Sequence, residues 1–158
     1  LIDAWRAARA RSAAVRGARL ILVGRPLGGF ERFADASHQA RLAEDGITVI
    51  NGCSADHLAR LYRHAAFTVY PSAAEGWGLP PVESLLMGKP CLISDSLPVA
   101  QEIDSAGLKR VPTLSADAWT DALCHWLDSP DALQAATDQA RDFKPPAWAA
   151  AADILLTA

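Results

Sequence analysis

"FTVYPSAAEGWGLPPVESLLMGKPCLIS" (residues 67–94) is the stretch on which the fold turns. It opens on a short β-rich apolar run, "FTVY" (67–70), and closes on another, "PCLIS" (90–94). Between them lies a turn with two glycines and two prolines, then an apolar helical pattern, "VESLLM", stopped by Gly88 and Pro90. Short continuous apolar runs without polar alternation predict strands buried on both faces. Strand, turn, helix and strand in that order make one crossover unit of a parallel sheet.

The same unit repeats outward from this stretch. "RLILVG" (19–24) and "ITVI" (47–50) precede it as strands, and a weaker run, "LKRV" (108–111), follows it. "LIDAWRAARARSA" spaces Ile2, Trp5 and Arg9 along one helical face, and "SADHLARLYRHA" groups Leu58, Leu61 and Tyr62 behind a candidate cap residue, Ser54. After Val111 the chain turns helical in "SADAWTDALCHWLD", "SPDALQAATDQARDF" and "PPAWAAAADILLTA". The expected fold is α/β, a three-layer, Rossmann-like, doubly wound parallel sheet. Ligands of such sheets bind at the carboxyl ends of the strands, where the turn after "FTVY" lies.

Composition bounds the function. The 158 residues are 51% hydrophobic and 21% charged, with a net charge of −3. That is a globular profile, without the basic footprint of a nucleic-acid binder. Cys53, Cys91 and Cys124 are odd in number and lack CxxC spacing, which disfavours disulfide and zinc frameworks and favours a reducing cytosol. Cys91, inside an apolar run, reads as a buried structural thiol. His38, His57, His64 and His125 show no ligand spacing. No apolar run approaches the ~20 residues of a membrane span, and no signal-peptide pattern opens the sequence.

The turn itself carries the chemistry. Glu75 and Glu83 bracket seven residues that include Gly76, Gly78, Pro80 and Pro81. Pro80 and Pro81 suit a helix's first turn, which would also hold Glu83. A helix start presents free amides and the positive end of the macrodipole, and Gly76 and Gly78 let backbone approach a ligand. This is an anion site of the phosphate-binding kind. A carboxylate ~4 Å from phosphate would be repelled by about 4 kcal/mol at an effective dielectric near 20. The glutamates are therefore expected to face neutral hydroxyls, and a nucleotide sugar has hydroxyls on both sides of its diphosphate. Taken singly, Glu83 reads as a dipole-favoured helix-start residue and Glu75 as a solvated loop residue. Taken with the glycines, the prolines and the preceding strand, the ligand-binding reading is stronger.

With these residues assembled, "PSAAEGWGLPPVESLLMGKPCLISD" resembles the Glu-x7-Glu signature of the retaining GT-B glycosyltransferases of family 4. "LILVG", "ING" followed by "ADHLARLYRHAAFTVYPS", and "DSLPVAQEI" also resemble that family, over roughly residues 1–127. The resemblance implies the carboxyl-terminal, donor-binding half of a GT-B fold. Residues 1–142 would form that domain, and 143–158 a helix packing back toward an amino-terminal, acceptor-binding domain. It implies transfer of a sugar from a nucleoside diphosphate to an acceptor hydroxyl with retention, in polysaccharide or glycolipid assembly. No cofactor or metal is implied. Glu75 would sit by the donor sugar as the catalytic residue. Gly76, Trp77, Gly78 and Leu79 would supply amides near sugar and diphosphate, and Glu83 would hold the ribose. Gly24 and Arg25 would lie near the nucleotide, and Cys53 and Ser54 would flank the base. Trp77 stands where phenylalanine is commoner, and Ser84 where alanine is.

The departures matter too. The family's donor domain opens on a strand and loop of the form "VGR....KG", whose arginine and lysine clamp the diphosphate, and "LIDAWRAARA" resembles the helix after it. Arg25 follows a different strand and is not that clamp. In the 3-2-1-4-5-6 order the absent strand is the central one. At ~1.5–3 kcal/mol per large apolar side chain its burial rivals a whole domain's ~5–15 kcal/mol, so residues 1–158 alone are expected to fold poorly and to be inactive. Expected partners are a nucleoside-diphosphate sugar and an acceptor sugar or lipid-linked glycan, without nucleic acid. The expected location is the cytoplasm, with any contact to the inner face of the plasma membrane made through the other half. The rival readings are a non-catalytic nucleotide-sugar-binding homologue or partner subunit, and a sugar-nucleotide epimerase, which would need histidines at strand ends. A dinucleotide or FMN module is disfavoured because "LILVGRPLGGF" (Gly24, Gly28, Gly29) lacks GxGxxG.

Overall fold

The computed structural model describes residues 1–25 and 31–145. The expected terminal helix around Trp148, and Gly28 and Gly29, lie outside these described residues. Helices α1 (Ile2–Arg11) and α2 (Ala13–Gly17) lead into β1 (Leu20–Gly24). A 3-10 turn (Glu31–Ala34) and α3 (Ala36–Glu44) precede β2 (Ile47–Asn51). There follow α4 (Ala55–His64), β3 (Thr68–Tyr70), α5 (Leu79–Leu86), β4 (Cys91–Ser94) and α6 (Pro98–Glu102). The described chain ends with β5 (Leu108–Val111), α7 (Ala116–Asp128) and α8 (Pro130–Arg141).

The amino-terminal helical pattern is cut in two at Ser12. Its hydroxyl accepts from the Val15 amide at 3.1 Å and donates to Asp128 at 2.5 Å. One side chain therefore starts α2 and fastens it to the end of α7. Ser54 and Ser115 cap α4 and α7 in the same way, accepting from the amides of His57 and Ala118.

All strands are parallel. β1 pairs with β2, from Leu20 opposite Ile47 to Gly24 opposite Asn51, and β4 lies between β3 and β5. Alternation along β4 and β5 sorts the side chains into two cores. Leu92 and Val111 join Trp5, Ala8, Trp119 and Leu123 of α1 and α7. Cys91, Ile93 and Leu108 join Leu85 of α5, Val99 and Ala100 of α6, and Ala140 of α8. Helices thus cover both faces of this sheet, giving the three layers of a Rossmann-like α/β domain. Burial pushes the Cys91 thiol up to about 12, in keeping with a structural thiol.

The strands are not all buried on both faces, as the apolar runs had suggested. Only β4 is buried throughout. In β1, Leu20 and Leu22 turn toward the first core, whereas Ile21 and Val23 remain 43% and 40% exposed. The reason is topological: among the described residues β1 and β3 do not pair, and the strands form a two-stranded and a three-stranded sheet. Between the two lies a cavity of about 780 Å3. Leu20–Val23, Thr68–Tyr70, Leu58 and Leu61 of α4, and Leu123 and Leu127 of α7 line it.

So large an apolar slot predicts that residues 1–158 on their own bind an environment-sensitive hydrophobic dye and melt over a broad temperature range. A sharp melt with no dye signal would show instead that the two sheets close onto each other.

Candidate functional site

The carboxyl ends of β1, β2 and β3 meet around the mouth of this cavity. Gly24, Arg25, Gly52, Cys53, Tyr62, Tyr70, Pro80 and Glu83 all line it. Four residues singled out from the sequence, Gly24, Arg25, Cys53 and Glu83, therefore share one concavity. Gly24 and Gly52 are tied directly, the Gly52 amide donating to the Gly24 carbonyl at 3.1 Å. Ser54 is exposed beside them, its hydroxyl accepting from the His57 amide as the cap of α4. His64 borders the cavity from the last turn of α4, ahead of β3 and away from the strands' carboxyl ends.

The loop after β3 carries the rest. Glu75 and Gly76 are exposed at its tip. The amides of Gly76, Trp77, Gly78 and Leu79 donate to no protein acceptor among the described residues. Four consecutive amides without a protein acceptor, three of them on residues that are not buried, stand at the positive end of α5, where an anion is favoured. Trp77 is held beneath the loop: its indole Nε1 donates to Glu102 at 2.6 Å, and its carbonyl accepts from the Val99 amide at 3.2 Å. Its ring packs on the second core.

Two expectations about this turn need correction. Helix α5 begins at Leu79, directly after Gly78, so Glu83 is its fifth residue and lies beyond the first turn. A dipole-favoured helix-start role is thereby removed for Glu83. Pro80 and Pro81 occupy the second and third positions and contribute no amides, so the open donors come from the loop and Leu79. The two glycines also differ. A Cβ on Gly76 would meet nothing within 4 Å, which suits close approach of a ligand. Gly78 is buried at φ +104°, and a Cβ there would lie 2.9 Å from Val99 Cγ1, so its glycine is required by the fold.

Each glutamate is anchored by a tyrosine that the sequence reading did not assign to the site. Tyr62 on α4 donates to Glu83 Oε2 at 3.1 Å and also lies 3.4 Å from the Pro80 carbonyl. Tyr70, the last residue of β3, donates to Glu75 Oε1 at 2.8 Å, and Ser72 donates to the same oxygen at 3.0 Å. Tyr62 had been placed on the apolar face with Leu58 and Leu61, and all three do line the cavity. No local spacing rule joins it to a carboxylate 21 residues away. Ser72 and Tyr70 lie within five residues of Glu75, and a polar residue ending a buried strand was the signal available there.

Comparison with known proteins follows this geometry. A sequence profile described as "Glycosyl transferases group 1" matches residues 1–143. The chain is 33% identical over 90 residues to the O-antigen chain mannosyltransferase RfbU of Salmonella typhimurium, covering 57% of this chain and 25% of that protein. It is 32% identical over 149 residues to the D-inositol 3-phosphate glycosyltransferase of Mycobacteroides abscessus, covering 89% of this chain and 32% of that protein. The enzyme of the same description from Mycolicibacterium smegmatis is 30% identical over 154 residues, 92% of this chain and 34% of its own. The chain thus spans a quarter to a third of the length of these curated relatives. The profile match across nearly the whole described chain, on a parallel α/β domain with its site at the strands' carboxyl ends, places this protein in the group 1 glycosyltransferase family.

Proposed function

We propose that this domain is the donor-binding half of a retaining, family-4, GT-B glycosyltransferase that moves a sugar from a nucleoside diphosphate to an acceptor hydroxyl. The observation that carries the reading is the row of four open amides, Gly76 to Leu79, flanked by Glu75 and Glu83, each fixed by a tyrosine. The amides and the start of α5 take the diphosphate, whose charge grows as it leaves. Preorganised donors of this kind stabilise developing negative charge without reorganising. Glu83, facing the cavity that Gly24, Arg25 and Cys53 also line, accepts from the ribose hydroxyls. Cys53 and Ser54 flank the base through backbone atoms. Glu75 accepts from hydroxyls of the transferred sugar and holds its anomeric carbon in place for attack from the face the diphosphate leaves. An enzyme of polysaccharide or glycolipid assembly fits the relatives, one an O-antigen mannosyltransferase. The acceptor would be met by the remaining part of the protein, together with any contact to the cytoplasmic face of a membrane. Among the described residues no helix is long and apolar enough to cross one.

Calorimetric titration of the full-length protein with UDP, GDP, ADP and dTDP tests the reading. One nucleotide should bind at micromolar affinity, and NMR of the product formed from its sugar conjugate should show the donor's anomeric configuration. Absence of binding by all four would point to a non-catalytic homologue, and an inverted product would remove the retaining assignment.

A further inference from the structure

The two signature carboxylates are held by two different tyrosines on two different elements. Glu83 Oε2 is committed to the Tyr62 hydroxyl of α4, and Glu75 Oε1 to Tyr70 at the end of β3 together with Ser72. In both cases the second carboxylate oxygen makes no hydrogen bond to protein among the described residues. Each glutamate therefore presents one fixed, open acceptor. We propose that Tyr62 and Tyr70 are positioning residues that divide the donor between them, Tyr62 aiming Glu83 at the ribose and Tyr70 aiming Glu75 at the transferred sugar. The proposal rests on the donor-site reading above and specifies how that site is organised.

Three observations support the division. Both phenol rings are half-buried and line the cavity, so neither is a free surface group. Burial, and then the adjoining carboxylate, pushes both phenols above their ordinary range, which keeps each hydroxyl protonated as a donor at any working pH. The two anchors also share no hydrogen-bond partner. Tyr62 spans from α4 to the start of α5, whereas Tyr70 and Ser72 act within the loop that leaves β3. An unanchored glutamate must be immobilised when the ligand binds. Restoring that freedom corresponds to roughly a 3- to 10-fold loss for the contacts the glutamate makes.

Phenylalanine at each position removes one oxygen and keeps the ring. The test uses full-length wild type, Tyr62→Phe and Tyr70→Phe, titrated with UDP, GDP and ADP and with their 2′,3′-dideoxy counterparts. Turnover is measured with UDP-glucose and GDP-mannose. Wild type should favour the ribose forms. Tyr62→Phe should lose about 3- to 10-fold on the ribose nucleotide and nearly nothing on the deoxy forms, so the penalty for deleting the ribose hydroxyls shrinks. Tyr70→Phe should bind the free nucleotides as wild type does, with kcat lowered about 10-fold and KM little changed. Equal losses on ribose and deoxy nucleotides in Tyr62→Phe, or weakened nucleotide binding in Tyr70→Phe, would overturn the division while leaving the donor site standing. A wild-type protein that binds these nucleotides without preferring ribose, or binds none, would overturn the donor-site reading itself.

Discussion

Alanine at Glu83 is expected to weaken binding of the nucleoside diphosphate to the full-length protein by about 100-fold. Two ribose hydroxyls donating to an ionised acceptor contribute roughly 1.5 kcal/mol or more each, and 1.4 kcal/mol is tenfold in affinity. The loss is not offset elsewhere, because the open amides of Gly76 to Leu79 serve the phosphates and not the ribose. The same change leaves the Tyr62 hydroxyl without its carboxylate, with only the Pro80 carbonyl 3.4 Å away. Glu75→Ala should behave oppositely. Free nucleotide should bind within about twofold of wild type, whereas turnover should fall about 100-fold or more, the scale on which mispositioning of reacting groups acts. Calorimetry and initial rates on the two variants check both statements. If Glu83→Ala binds nucleotide as wild type does, the carboxylate is not on the ribose.

Gly78→Ala is expected to destabilise the domain by about 4 kcal/mol. A residue with a Cβ held at φ +104° is strained by about 1–3 kcal/mol, and the new carbon would sit 2.9 Å from Val99 Cγ1. Overpacking a filled site adds about 1–3 kcal/mol. Gly76→Ala, two residues away, should leave stability within about 0.5 kcal/mol, because nothing lies within 4 Å of its Cβ position. The pair thus separates a glycine the fold requires from one exposed at the loop tip. Val99→Ala combined with Gly78→Ala should recover the packing part of the loss and leave the backbone part. Thermal melts of wild type and the three variants measure these differences; a Gly78→Ala protein as stable as wild type would show that the turn relaxes.

The sequence carried the fold because the strands are short apolar runs between helices, several of which open on a side-chain cap. Ser54 and Ser115 mark helix starts that the structure confirms residue for residue. What it concealed depended on distant partners. Ile21 and Val23 look like core residues in "LILVG", and only the unpaired edges of β1 and β3 leave them exposed. Pro80 and Pro81 do lie in the first turn of α5, but the turn at Gly78 lets Leu79 open the helix and leaves Glu83 beyond that turn. The Glu75–Glu83 spacing was legible as a ligand-binding pattern. The hydroxyls that hold the two carboxylates were not, since Tyr62 reaches Glu83 across two elements.

The spread of the site over two groups of strands bears on how it recognises length. Gly24, Arg25 and Cys53 stand on the plate made by β1 and β2, and the loop from Glu75 into α5 stands on the plate made by β3, β4 and β5. A molecule that touches one plate only gains nothing from the other. One long enough to touch both acts as a brace, its second contact made at the high effective concentration set by the first. Reach then selects alongside hydrogen bonding, and short fragments of a ligand bind far less well than their share of its contacts would suggest.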